Sequence, residues 1–144
     1  MTSPDLSAAA VAVTVTAAVV ESGLASISSV DTDQVLAYDV AHAASAVATA
    51  RVLLGYGDKG DTEARLTCAF IADAVHDIAT RLLGREDLWG VGHGALDATR
   101  DFVRTYRDPA FVASLAHVEG PRHLDDFFEL VRDSFRRFAD DKIA

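Results

Sequence analysis

At 144 residues, half of them apolar, the chain is long enough for one ordinary domain with a real core, which argues against a disordered segment. Its 13 basic and 22 acidic residues leave a net charge of −9, the wrong sign for nucleic-acid phosphates or an anionic membrane surface, so neither is an expected partner. Cys68 is the only cysteine, which rules out an intrachain disulfide and suits a reducing compartment.

The first predicted helix spans residues 3–26. Ser3, Pro4 and Asp5 read as a start: a capping hydroxyl, a ring with preset φ, then an acid near the positive end of the dipole. Leu6, Ala10, Val13, Ala17, Val20 and Leu24 alternate four and three apart and form its seam. Residues 6–20 carry no charge, but Ser7, Thr14 and Thr16 interrupt them and they fall short of the roughly 20 apolar residues a bilayer requires. Asp5 stands where a secretory signal has basic residues, so the chain is expected to be soluble and cytoplasmic.

A second helix over 33–55 carries Leu36, Val40, Ala43, Val47, Ala50 and Leu54 in the same alternation, and Gly55 and Gly57 close it. Two matching seams joined by a polar loop predict an antiparallel hairpin, with the alanines permitting close backbone approach. The third helix, 61–83, presents a broad face of Leu66, Phe70, Ile71, Ala74, Val75, Ile78 and Leu82, with Cys68 and Ala79 at the margin. A face that wide suits a helix with two neighbours. Residues 85–94 read as a loop holding Trp89, and 95–107 as a shorter helix with Leu96, Phe102, Val103 and Tyr106 inward. Asp108 and Pro109 restart a brief helical turn containing Phe111, Val112 and Leu115. The expectation is an all-α, antiparallel up-and-down bundle over 1–118, a linker over 119–123 around Gly120 and Pro121, and a terminal amphipathic helix over 124–143.

Chemistry-bearing residues are few. Asp39 and His42 on the second helix, and Asp73 and His76 on the third, form a repeated D-x-x-H that places acid and base on one face. Dimetal bundles use a Glu-x-x-His pair on each of two helices, which makes these four the only candidate metal ligands. The acids here are one methylene shorter, the first helix supplies only Glu21, and Asp73 shares a polar face with Asp77, Thr80 and Arg81. The plainer expectation is a partly buried Asp39–His42 hydrogen bond, a solvated Asp73 and no metal. Gly90, Gly92 and Gly94 precede a helix but follow no strand, so they are a flexible entry rather than a dinucleotide fingerprint. His117 and His123 flank the linker and read as surface residues.

The terminal segment is the most pronounced pattern in the chain. Leu124, Phe127, Phe128, Val131, Phe135 and Phe138 lie on one stripe, backed by charges. If the stripe packs on the bundle, Phe128, Val131 and Phe135 should be buried against the second or third helix, and Phe135→Ala should cost about 3–5 kcal/mol. The run from Leu124 through Arg136, Arg137, Phe138, Ala139, Asp140, Asp141, Lys142, Ile143 and Ala144 resembles the opening helix of the acyl-CoA dehydrogenase family. Residues 37–57 and 63–86 also look like the helical region preceding the dehydrogenase domain in some large bacterial members. The resemblance implies the N-terminal helical part of such a flavoprotein, ending in the first helix of its dehydrogenase domain. The parent reaction would be FAD-dependent α,β-dehydrogenation of an acyl thioester. No counterpart of the family's flavin-contacting strand or catalytic carboxylate is found, so no catalytic or cofactor-binding residue is assigned and the chain alone should be inactive. The implied partners of the stripe are a dehydrogenase domain or a second copy of the chain. The alternative is a free-standing helical interaction module.

Overall fold

The computed structural model describes residues 2–116, 118 and 120–142. Six α-helices form in chain order, and the described residues contain no strand: α1 (Leu6–Ser26), α2 (Gln34–Gly57), α3 (Asp61–Leu82), α4 (Arg100–Tyr106), α5 (Pro109–Ala113) and α6 (Asp126–Lys142). A single 3-10 turn, Asp97–Thr99, leads into α4. The protein is an all-α helical bundle in which α1, α2 and α3 pack mutually and α4 lies on α3.

Helix α1 starts later than the Ser-Pro-Asp pattern suggests. Asp5 is the cap, its carboxylate accepting from the Ala8 N–H at 2.8 Å. An ionised acceptor at the positive dipole end outcompetes a hydroxyl two residues earlier. Ser3 is used instead through its carbonyl, which accepts from the Tyr106 hydroxyl at 3.0 Å and ties the N-terminus to α4. By length and composition α1 could cross a membrane, but its buried positions face α2 and α3. Those positions include Ala9, Ala12, Val13, Thr16, Ala17, Val19, Val20 and Gly23, a wider surface than one seam. Val13, Ala17 and Val20 lie in the core as the spacing predicts, whereas Leu24 is exposed. A helix with two neighbours is apolar around more of its circumference than a hairpin partner is.

The seam of α2 holds as read: Val40, Ala43, Val47 and Ala50 are buried, with Leu36 and Leu54 partly so. The predicted face of α3 is rotated. Leu66 and Phe70 are exposed, while Cys68, Ile71 and Ala72 are fully buried. The rotation turns Thr67 toward α2, where its hydroxyl donates to the Leu53 carbonyl at 3.0 Å, and Arg65 toward α5. Arg65 is itself buried, donating to the Ser114 hydroxyl at 2.6 Å with its guanidinium 5.2 Å from the Phe111 ring centre. Anchoring α5 outweighs the transfer of two large side chains into a core already filled by alanines and valines.

The segment after α3 is not a free loop. Trp89 is completely buried and covers the end of the α1–α2 pair. Gly23 makes room for it: a Cβ there would meet Trp89 Cε3 at 2.6 Å and Val40 Cγ2 at 2.9 Å. Gly90, in the left-handed region at φ 65°, completes the closure by accepting from the Ser22 hydroxyl at 2.9 Å.

Candidate functional site

The two D-x-x-H pairs go to different partners. The Asp39 carboxylate is buried between two arginines of the third-helix region, with Arg81 Nη1 at 2.8 Å and Arg85 Nη1 at 2.9 Å. The expected Asp39–His42 bond is absent because guanidinium forks offer a charged partner across the helix interface. His42 is exposed and stacks on Tyr38 with ring centres 4.4 Å apart. Arg81 is held above its already high range by Asp77 first and Asp39 second. Asp73 is solvated, as its polar face predicts, and pairs with Arg107 at 3.1 Å. His76 is half-buried in a groove. Among the described residues no group of three or more His, Cys, Asp or Glu side chains is arranged to hold a metal ion.

That groove, about 360 Å³, runs between α3 and the 3-10 turn with α4. Val75, Ala79, Leu82, Leu96 and Val103 line it. Its rim charges are engaged locally, Arg100 with Asp97 at 2.8 Å and Arg104 with Asp101 at 2.9 Å. Glu86, ahead of the glycines, and Asp97, in the 3-10 turn, also line it, and Glu86 lies 3.6 Å from His93. An anionic phosphate would meet two carboxylates there. Among the described residues this groove offers a flavin dinucleotide no uncommitted cation, because Arg100 and Arg104 already pair with Asp97 and Asp101, and Trp89, the one large aromatic of the preceding loop, is sealed in the core. Burial pushes the Cys68 thiol up from its ordinary range, which makes it a core residue rather than a nucleophile.

The distinctive surface is the C-terminal arm. His123 is exposed, as read from sequence, but its side chain is tucked against the bundle as a latch, with Nε2 2.7 Å from Glu63 Oε1. Glu63 is buried in the first turn of α3, and the His123 hydrogen bond, followed by its own backbone N–H, lowers its pKa. The Tyr56 ring meets His123 edge-on at 5.8 Å. His123 has φ 55°, left-handed backbone uncommon for a side chain of this size. This contact is where the linker holds the bundle. His117 lies outside the described residues.

Beyond the latch, α6 is capped by Asp125, whose carboxylate accepts from the Phe128 N–H at 2.9 Å. Arg132 fastens its middle turns, reaching Glu129 at 2.7 Å and also Asp133. No residue of α6 is buried. Phe127, Phe128, Phe135 and Phe138 are 66%, 55%, 72% and 59% exposed, Leu124 is exposed, and Val131 is half-buried. The expected packing of Phe128, Val131 and Phe135 on α2 or α3 is not made. The large exposed apolar side chains of these two helices are Val35, Tyr38 and Val52 on α2 and Leu66 and Phe70 on α3, interrupted on α2 by Ala41, His42, Ser45, Ala48, Thr49 and Arg51. None of these receives the stripe, and the short and polar side chains between them on α2 give phenylalanine rings little to interlock with.

No family model, curated protein or solved structure matches this chain.

Proposed function

We propose that this chain is the N-terminal helical part of an acyl-CoA dehydrogenase-like flavoprotein, a soluble, cytoplasmic and non-catalytic unit whose terminal helix docks on protein surface outside its own bundle. The observation that carries the docking role is α6: a fully formed amphipathic helix with four exposed phenylalanines. A contiguous apolar face of this kind on a soluble chain marks an interaction site. The link to acyl-CoA dehydrogenases rests on the residues of α6 and of the helical stretches in α2 and α3 that resemble that family. In that reading FAD and the acyl thioester belong to residues outside this chain.

A free-standing interaction module is the second reading. It draws support from the way the arm is built to be presented: Asp125 caps α6, Arg132 braces it, and His123 fixes its point of departure. Both readings are tested on the purified chain with visible absorption and a hydrophobic dye. The expected result is no flavin band, together with dye binding by the dilute chain that Phe128→Ser and Phe135→Ser sharply reduce. A flavin band near one per chain would sink the non-catalytic assignment. Dye binding indifferent to those substitutions would remove the docking role.

A further inference from the structure

The docking role says that the α6 face is covered without saying by what, and the arrangement of its residues bears on that. Within α6, Phe127, Val131 and Phe135 are spaced four and four, so the centre of the stripe reads the same from either end about Val131, with Phe138 three residues beyond it and Leu124 three residues before it in the turn ahead of the helix. A surface with that symmetry is complementary to itself when a second copy runs the other way. Phe127 then lies opposite Phe135, and Val131 meets its own copy on the two-fold axis. Phe128, the member outside the symmetric set, falls opposite Ser134. Ser134 is small, and its hydroxyl is already satisfied by the Leu130 carbonyl at 2.8 Å, so it gives the ring room without an unpaired donor.

Charge selects the same orientation. Asp125 and Asp126 open the helix, and Arg136 and Arg137 stand toward its other end. Two antiparallel copies bring Asp125 beside Arg136 of the second copy on one flank and Asp126 beside its Arg137 on the other, each pair occurring twice. A parallel pair would set the aspartates against one another. The antiparallel register places one like pair near each other, Glu129 and Asp133 of the second copy. Both point away from the stripe, and Arg132 of the same chain already holds each of them.

The area is also of the right size. A phenylalanine offers about 150–250 Å² for burial, so four per copy at these exposures give on the order of 1,000 Å² across two copies. That stands at the threshold of about 1,000 Å² for a biological interface, the size of a weak dimer.

We infer that the occupant of the α6 face is α6 of a second copy of this chain, packed antiparallel about Val131 as a two-fold dimer. This rests on α6 being a docking helix. The pairing joins two copies through their arms and leaves the α1–α5 bundles apart.

The test is light-scattering mass of the full chain over a concentration series, for the native sequence and for Val131→Glu. The native chain should double in mass as concentration rises. Val131→Glu, which sets two carboxylates face to face on the axis, should stay monomeric with unchanged helical circular dichroism, since α6 lies outside the bundle. Orientation is read by disulfide formation. Phe127→Cys and Phe135→Cys chains should cross-link with each other and neither with itself, and buried Cys68 contributes no background. Self-cross-linking of each variant means a parallel pair and overturns the inference, as does a dimer that survives Val131→Glu. A native monomer that still binds dye through the stripe overturns the pairing and leaves the docking role standing, with a different protein as occupant. A monomer that binds no dye through α6 removes both.

Discussion

The α1–α3 core and the α6 arm have opposite relations between sequence pattern and burial. α6 separates apolar from charged residues more sharply than any other helix here, yet buries nothing. α1 and α2 separate them weakly, being rich in alanine and valine all round, yet they supply ten of the 22 buried apolar side chains among the described residues. Amphipathic contrast reports a helix with water on one side; it does not say what stands on the other. A helix enclosed by two neighbours loses the contrast because it has little wet face left. α3, which buries the most residues of the three, stands between them and α6 in contrast, so burial and contrast do not track one another in this chain.

Substitutions sharpen the contrast, beginning in the core. Trp89→Ala should cost about 3–5 kcal/mol of bundle stability, the range for emptying a buried aromatic site, and chemical denaturation measures it. A loss under about 1 kcal/mol would mean that Trp89 is a loop residue after all. Gly23→Ala forces a methyl into the same contact from the other side and should cost about 1–3 kcal/mol by overpacking. Combined with Trp89→Ala, the two losses should sum to less than their separate values, because the smaller side chain opens the space.

Asp39→Asn should cost roughly 1–2 kcal/mol, held down by the partial exposure of Arg81 and Arg85. His42→Ala should leave stability within about 0.5 kcal/mol, since His42 is exposed and has no bond to Asp39. Equal effects at the two positions would restore the pairing that the D-x-x-H spacing suggests.

The latch responds to pH through Glu63. Its folded pKa is lowered, so the contribution is present above the ordinary carboxylate range and is lost as pH falls through the folded value. Hydrogen exchange at residues 120–125 should therefore accelerate on acidification before the α1–α3 core opens, and His123→Ala should give that faster exchange already at neutral pH. The smallest effect belongs to the arm. Phe135→Ala should change bundle stability by less than about 0.5 kcal/mol when measured on dilute protein, against the 3–5 kcal/mol that a docked helix would lose. A large loss would place the stripe on the bundle.

Helix boundaries were largely legible, except that the helix expected over 95–107 forms only over Arg100–Tyr106, because turns over 93–96 and a 3-10 turn over Asp97–Thr99 take up its first residues. Gly57, Asp61 and Asp108-Pro109 punctuate the chain where helices end and begin, since local turn chemistry and capping act within a few residues. The seam of α2 was legible for the same reason: one helix, one period, one buried face. Less accessible were the polar contacts. Glu63–His123 joins residues 60 apart and Arg65–Ser114 joins residues 49 apart, and nothing in local spacing marks either pair. A buried glutamate and arginine at the start of α3 have the same sequence signature as a solvated first turn.

By itself the sequence determined that this protein is helical, where its helices lie, that α2 turns Val40, Ala43, Val47 and Ala50 inward, and that the last helix carries an apolar stripe. These follow from periodicity and capping, which are short-range. Only the tertiary structure decided that α3 rotates Leu66 and Phe70 outward, that Trp89 closes the core, that Asp39 chooses arginines over His42, and that the stripe finds no surface on its own bundle. Each of those outcomes depends on which other side chains fill the same space and which charges arrive first. Packing and electrostatics settle that between residues far apart in the chain.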